Sequence, residues 1–149
     1  MQSILAVDPG TTQSGWCRYN GSDISSGIFG NELMRKWIEE SGAGELAIEM
    51  VASYGMPVGR EVFETCVWIG RFVQSWRAPE LVKLIYRKDV KLHLCGDSRA
   101  KDSNIRQALI DRFGAPGTKK APGALYGVKG DAWQAIALAV TAWDKARAA

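Results

Sequence analysis

The stretch Ser3-Ile4-Leu5-Ala6-Val7-Asp8-Pro9-Gly10-Thr11-Thr12 decides how the rest of the chain is read. Ile4 to Val7 are apolar on both alternating faces, the pattern of a strand covered on both sides. Pro9-Gly10 stops that strand at once. Asp8 is left at its carboxyl end, the edge of an α/β sheet where ligands bind. A carboxylate on a rigid strand tip suits metal binding. The same residue can equally serve its own turn through Gly10 and Thr11. On these residues alone both readings stand.

Working outward, Ser14 to Asn20 and Asp23 to Phe29 read as two further strands joined by the hairpin signal Asn20-Gly21. The chain therefore opens as a three-stranded antiparallel meander. Gly30 to Ser41, with Leu33, Met34, Trp37 and Ile38 on one face, predicts an amphipathic helix closed by Gly42-Ala43-Gly44. Glu45 to Met50 is a short apolar strand running into a second acid, Glu49, and so repeats the first strand's pattern. Val51 to Val58 reads as a loop carrying Tyr54 and Met56. From Gly59 to Trp76 the pattern is helical but apolar on more than one stripe. Val62, Cys66, Ile69, Val73 and Trp76 form one seam, Phe63, Val67 and Gly70 lie beside it, and Trp68 and Phe72 occupy another face. A helix apolar nearly all round needs cover on both sides: the sheet on one, a second subunit on the other.

Leu81 to Tyr86 reads as a strand, and Lys88 to Cys95 as a short basic helix ended by Gly96. Asp102 is the expected N-cap of a helix running to Phe113. Ala115 to Gly130, rich in Gly, Pro and Lys, reads as an exposed basic loop with the composition of a mobile segment. Asp131 opens a last helix with Trp133, Ile136, Ala137, Val140 and Trp143 on its buried face. Asp131-x-x-Gln134 also fits a capping box, which by itself accounts for an acid at this place.

At 149 residues, 46% hydrophobic and 23% charged, the chain has the composition of one folded domain spanning 1–149. No apolar run approaches the roughly 18 residues of a membrane span, and no basic segment precedes the short N-terminal apolar run. Neither a membrane partner nor a signal peptide is expected. Cys17, Cys66 and Cys95 are odd in number and lack a CxxC pair, which fits reduced thiols in a cytoplasmic protein. His93 is the sole histidine and has no neighbouring Cys or His, so a zinc site is not expected.

The net charge of +3 is unevenly spread. Lys83 to Lys129 holds eleven Lys or Arg against four Asp, so this segment carries +7 and the remainder −4. A basic half joined to an acidic half is what a nucleic-acid enzyme needs. Asp8, Glu49 and Asp131 each end or begin a regular element. If the fold brings them together they form an all-oxygen site suited to Mg²⁺, or to Mn²⁺ in its place. Two such ions about 3.5–4 Å apart can activate water and stabilise the leaving oxygen of a phosphodiester. Arg99, Lys101, Arg106, Lys119 and Lys120 are the expected strand contacts.

Three segments taken together, A-V-D-P-G-T-T-x-S-G, A-I-E-M-V and G-D-A-W-Q-A-I-A-L-A, resemble the RuvC family of Holliday-junction resolvases. The small size and the stretch C-G-D-S-R-A-K-D-S-N-I-R-Q-A-L-I-D-R-F-G are most similar to its bacteriophage-type members, which would place the protein in a bacterial host cytoplasm. The resemblance implies an α/β ribonuclease H-like fold: a mixed five-stranded sheet, three antiparallel strands then parallel additions, flanked by helices. It implies that Asp8, Glu49 and Asp131 hold metal as catalytic acids, and that Lys101 is catalytic too, contacting the scissile region and stabilising charge on the phosphate. It also implies that the Val62–Trp76 helix forms a homodimer and that four-way DNA junctions are nicked in pairs. One departure is at Gln134, where the family pattern D-x-x-D has a fourth acid. Another is Ala52, at the usual place of an aromatic wedge, for which Tyr54 is the candidate substitute.

Other readings share these residues. D-x-G-T-T-x-S-G also resembles the first phosphate loop of actin-like sugar kinases, but no second D-x-G-T follows. A nuclease for RNA–DNA hybrids would keep the same fold. A junction-binding module that has lost catalysis through Gln134 is the third, although a mere binder gains nothing from clustered acids beside phosphates.

Overall fold

The computed structural model describes residues 2–148. Five strands, β1 (Ile4–Asp8), β2 (Gln13–Tyr19), β3 (Ile24–Gly30), β4 (Glu45–Met50) and β5 (Lys83–Tyr86), form one sheet in the order β3-β2-β1-β4-β5. β1, β2 and β3 pair antiparallel, whereas β4 joins β1, and β5 joins β4, in parallel. The α/β class and the mixed sheet are those expected from the sequence. Five α-helices complete the chain: α1 (Asn31–Glu40), α2 (Arg60–Ser75), α3 (Arg87–Cys95), α4 (Asp102–Phe113) and α5 (Ala132–Arg147).

Alternation along β1 sorts its side chains between two cores. Leu5 and Val7 face α1 and α2, packing with Met34, Ile38, Ile69, Phe72 and Trp76. Ile4 and Ala6 face α3, α4 and α5, packing with Val90, Ile105, Leu109, Ile136 and Val140. With helices on both faces, the apolar run of β1 is fully covered, as its sequence requires.

Four local expectations change. The β2–β3 connection is a four-residue loop, because Tyr19 pairs with Ile24. Asn20 organises it through its side chain, its Oδ1 accepting from the Ser22 and Asp23 amides at 3.0 and 2.7 Å. The N-cap of α4 is Lys101, not Asp102; its amide donates to Asn104 Oδ1 at 2.9 Å. Helix α5 has no single buried face, since every residue from Ala132 to Ala142 is buried. Its alanines let β1 and β2 approach one side while α3 and α4 cover the other. The basic loop contains a tight hairpin at Thr118–Ala121, whose backbones exchange two 3.1 Å hydrogen bonds, and it is anchored by the buried Leu125.

Helix α2 divides its apolar surface as required. Thr65, Ile69, Phe72 and Trp76 face the sheet and α1, so Ile69 and Trp76 of the seam and Phe72 of the other face all belong to the core. Phe63 and Val67 are exposed beside an open Gly70.

Candidate active site

Parallel pairing sets the geometry of the site. Val7 lies beside Ile48, and Glu49 beside Ile85, so Asp8 and Glu49, each next along its strand, and Arg87, just past the end of β5, gather at one end of three adjacent strands. Asp8 continues the alternation of Ile4 and Ala6, and Glu49 that of Ala47, so both carboxylates project to the α5 face.

Gly15 brings Asp131 to the same place. It pairs with Asp8 across the β1–β2 ladder. A Cβ at Gly15 would stand 2.4 Å from the Asp131 carbonyl oxygen and 3.0 Å from the Ala132 amide nitrogen. No residue with a side chain fits where β2 meets the start of α5. Asp131 itself has helical dihedrals (φ −67°, ψ −12°) and no capping hydrogen bond from its side chain. The expected capping box with Gln134 does not form. The Asp131 carboxylate is exposed and faces a hollow of about 340 Å³ shared with Asp8, Glu49, Glu61, Thr65 and Arg87.

The turn after Asp8 is held by buried polar groups. Ser14 Oγ donates to Asn31 Oδ1 at 2.6 Å, and Asn31 Nδ2 donates to the Gly10 carbonyl at 2.9 Å. The Asn31 amide closes the ring on the Thr12 carbonyl at 2.9 Å. The side chains that shape the turn are thus spent on Ser14 and Asn31, which frees Asp8 for another role.

Electrostatics single out Asp8. Burial, then the neighbouring Glu49 charge and, less strongly, Asp131, raise its carboxyl from 3.8 to about 8, against the opposing pull of Arg87. Arg87 Nε and Nη2 donate to Glu49 at 3.3 and 3.1 Å, and Nη2 lies 3.8 Å from Asp8 Oδ1. Burial disfavours the Arg87 charge, but Glu49 and Asp8 outweigh it and hold the guanidinium above its ordinary range. Among the described residues no three His, Cys, Asp or Glu side chains are grouped closely enough to hold one ion between them.

No protein-family model matches the chain, and no curated protein matches it in sequence. Solved structures do match it. Thermus thermophilus RuvC superimposes with a TM-score of 0.72 at 15% identity, over 99% of this chain and 96% of that one. T. thermophilus RuvC in complex with a Holliday junction substrate gives 0.75 at 16% identity, with the same coverage. The chain has a RuvC-like fold.

On this RuvC-like frame the basic residues separate into distinct places. Arg99 and Tyr54 line a second hollow of about 370 Å³ beside the acids, together with Arg87, Lys88, Lys91 and Ser98. Tyr54 is exposed and holds a positive φ of 49°, a conformation uncommon for a residue with a side chain. Lys101, at the start of α4, is exposed and lines neither hollow. Arg106 lies over the Trp133 ring at 4.9 Å. Lys119 and Lys120 sit at the hairpin tip. Gln134 is buried and its Oε1 has no hydrogen-bond partner. Arg87 and Glu61 also line the acidic hollow, and neither belongs to a motif in the sequence. The local signal for Arg87 is its position directly after a strand; for Glu61 it is that of an acid in the first turn of α2.

Proposed function

We propose that the protein is a homodimeric, metal-dependent endonuclease that cleaves branched DNA, chiefly four-way junctions, by paired phosphodiester hydrolysis. The observation that carries the reading is the joint placement of Asp8, Glu49 and Asp131 around one hollow, adjoining a basic, aromatic-edged one, on a RuvC-like fold. A purely structural acid gains nothing from burial beside two more carboxylates. Asp8 is held there against the preference of its own charge, as functional groups often are.

The donors fit a hard divalent cation. They are all oxygen, two of them are buried, and the Asp8 charge is only partly offset by Arg87. Asp8, Glu49 and Asp131 surround the hollow without closing on one point, and would draw together to hold Mg²⁺, with Mn²⁺ able to substitute. Such an ion supplies an activated water and charge stabilisation at the leaving oxygen. The protein's own part is to fix the two strand-tip carboxylates rigidly and to bring the third in on α5. Lys101, Arg99, Arg106, Lys119 and Lys120 then position phosphates, and Tyr54 meets bases at the edge of the basic hollow. The exposed Phe63–Val67–Gly70 stripe of α2 supports the second-subunit contact, which would set two sites on one junction. The host-cytoplasm and bacteriophage assignments remain part of this reading, carried by the family resemblance.

Gln134 favours one rival, a junction-binding module without catalysis, because a buried neutral amide stands where the family pattern has an acid. Labelled four-way junction, linear duplex and RNA–DNA hybrid, incubated with Mg²⁺, Mn²⁺ or chelator, separate the readings. Paired nicks in the junction alone support the nuclease. Binding without cleavage in either metal supports the binding module.

A further inference from the structure

Arg87 lines both hollows at once, and this shared wall points to a role beyond that of a fixed ion pair. Its guanidinium edge meets Glu49 Oε2 at 3.1 Å and reaches Asp8 Oδ1 at 3.8 Å. It therefore occupies the space between the two buried carboxylates that a bound cation must enter. A magnesium ion sits about 2.0–2.1 Å from each carboxylate oxygen it ligates. It cannot share Glu49 Oε2 and Asp8 Oδ1 with a guanidinium in the observed position without strong like-charge repulsion. Arg87 also has somewhere to go. It is the first residue of α3, its side chain is about one-third exposed, and Lys88, Lys91, Ser98 and Arg99 lie in the adjoining hollow. The cations Lys88, Lys91 and Arg99 oppose entry of a further positive charge, and a DNA phosphate would remove that opposition.

We propose that Arg87 is a resident counter-ion. It holds Asp8 and Glu49 together while no metal is bound, competes with the divalent cation for them, and turns into the basic hollow to take a DNA phosphate once the metal is in place. Metal and DNA then load cooperatively, because phosphate in the basic hollow stabilises the position of Arg87 that the metal requires. The inference rests on the nuclease reading and assigns Arg87 as a positioning residue within it.

The test is Mn²⁺ binding by the full-length protein, measured calorimetrically or by the loss of free-ion paramagnetic resonance signal. It uses wild type, Arg87→Gln and Arg87→Lys, each with and without four-way junction. In the absence of DNA, Arg87→Gln should bind Mn²⁺ at least roughly fivefold more tightly than wild type, whereas Arg87→Lys should stay close to wild type. Junction DNA should tighten Mn²⁺ binding to wild type, and should do so much less for Arg87→Gln. Weaker Mn²⁺ binding by Arg87→Gln, or equal shifts in Gln and Lys variants, overturns the proposal by making Arg87 a scaffold rather than a competitor. Wild-type nicking of the junction is scored separately. Its absence removes the nuclease reading, while its presence beside an unshifted Arg87→Gln removes only the counter-ion role.

Discussion

Gly15 and Asp131 touch through their backbones, with the Cα of Gly15 directed at the peptide that begins the last helix. Because Gly15 also pairs with Asp8, one glycine sets the separation between a strand-tip acid and a helix-start acid. A methyl group there must push α5 outward. Gly15→Ala is expected to cost about 1–3 kcal/mol in chemical denaturation, the range for overpacking a close contact. Cleavage should fall further than stability explains, by roughly 100-fold, since a displacement near 1 Å is enough for that. Activity kept at wild-type level in a destabilised Gly15→Ala protein would contradict this coupling.

Asn31 is the second support. Its replacement by Ala strips the buried Ser14 hydroxyl of its acceptor and takes the partner of the half-buried Gly10 carbonyl. Asn31→Ala should lose about 1–3 kcal/mol of stability by urea denaturation. Amide exchange in the Pro9–Gln13 turn should accelerate more than in α4, which the network does not touch.

How far the sequence revealed this arrangement differs from residue to residue. Asp8 and Glu49 were legible because each ends a short apolar run, and strand ends are marked locally. Asp131 was legible as a helix start, yet its expected cap does not form, because the residue already has helical dihedrals. The full burial of α5 was hidden, since alanine is compatible with an exposed or a covered face. Arg87 was one cation among many in a basic segment. Its role depends on β5 pairing with β4 so that Tyr86 lies beside Met50, a contact between distant parts of the chain.

Asp8 should make the metal-free protein less stable as pH rises. Burial and the Glu49 charge raise its folded pKa to about 8 from 3.8, so the folded state binds the extra proton between those values. The contribution is complete below about pH 4 and is lost as pH climbs towards 8. Asp8→Asn removes the charge with little change of shape. With chelator at pH 8 it should therefore gain about 0.5–2 kcal/mol over wild type, seen as a higher melting temperature, while losing cleavage. A lower melting temperature for Asp8→Asn would mean that the carboxylate is structural.

Acid stability should rest on sites away from the acids of the hollow. Burial disfavours the Asp144 charge, but hydrogen bonds from Arg112 and His93 outweigh it and hold the carboxyl below 3.8. The Arg112 fork spans both Asp144 oxygens at 2.7 and 2.8 Å, tying α4 to α5. Burial likewise opposes ionisation of Glu45, and Lys83 and Arg147 more than offset it. With folded values lowered, both contributions are present above the ordinary carboxylate range and are lost as pH falls through the lowered values. Asp144→Asn should narrow the stability gap between pH 6 and pH 3 in denaturant titrations. An unchanged gap would assign acid sensitivity elsewhere.

The most direct measurement is cleavage of a synthetic four-way junction by the wild-type protein and by Asp8→Asn. Both are assayed in Mg²⁺ and in chelator, with binding followed in parallel. Paired nicks by wild type in Mg²⁺ alone are predicted, with binding but no nicks by Asp8→Asn. Nicking that persists in chelator, or Asp8→Asn cleaving as wild type does, would contradict the role given to the three acids.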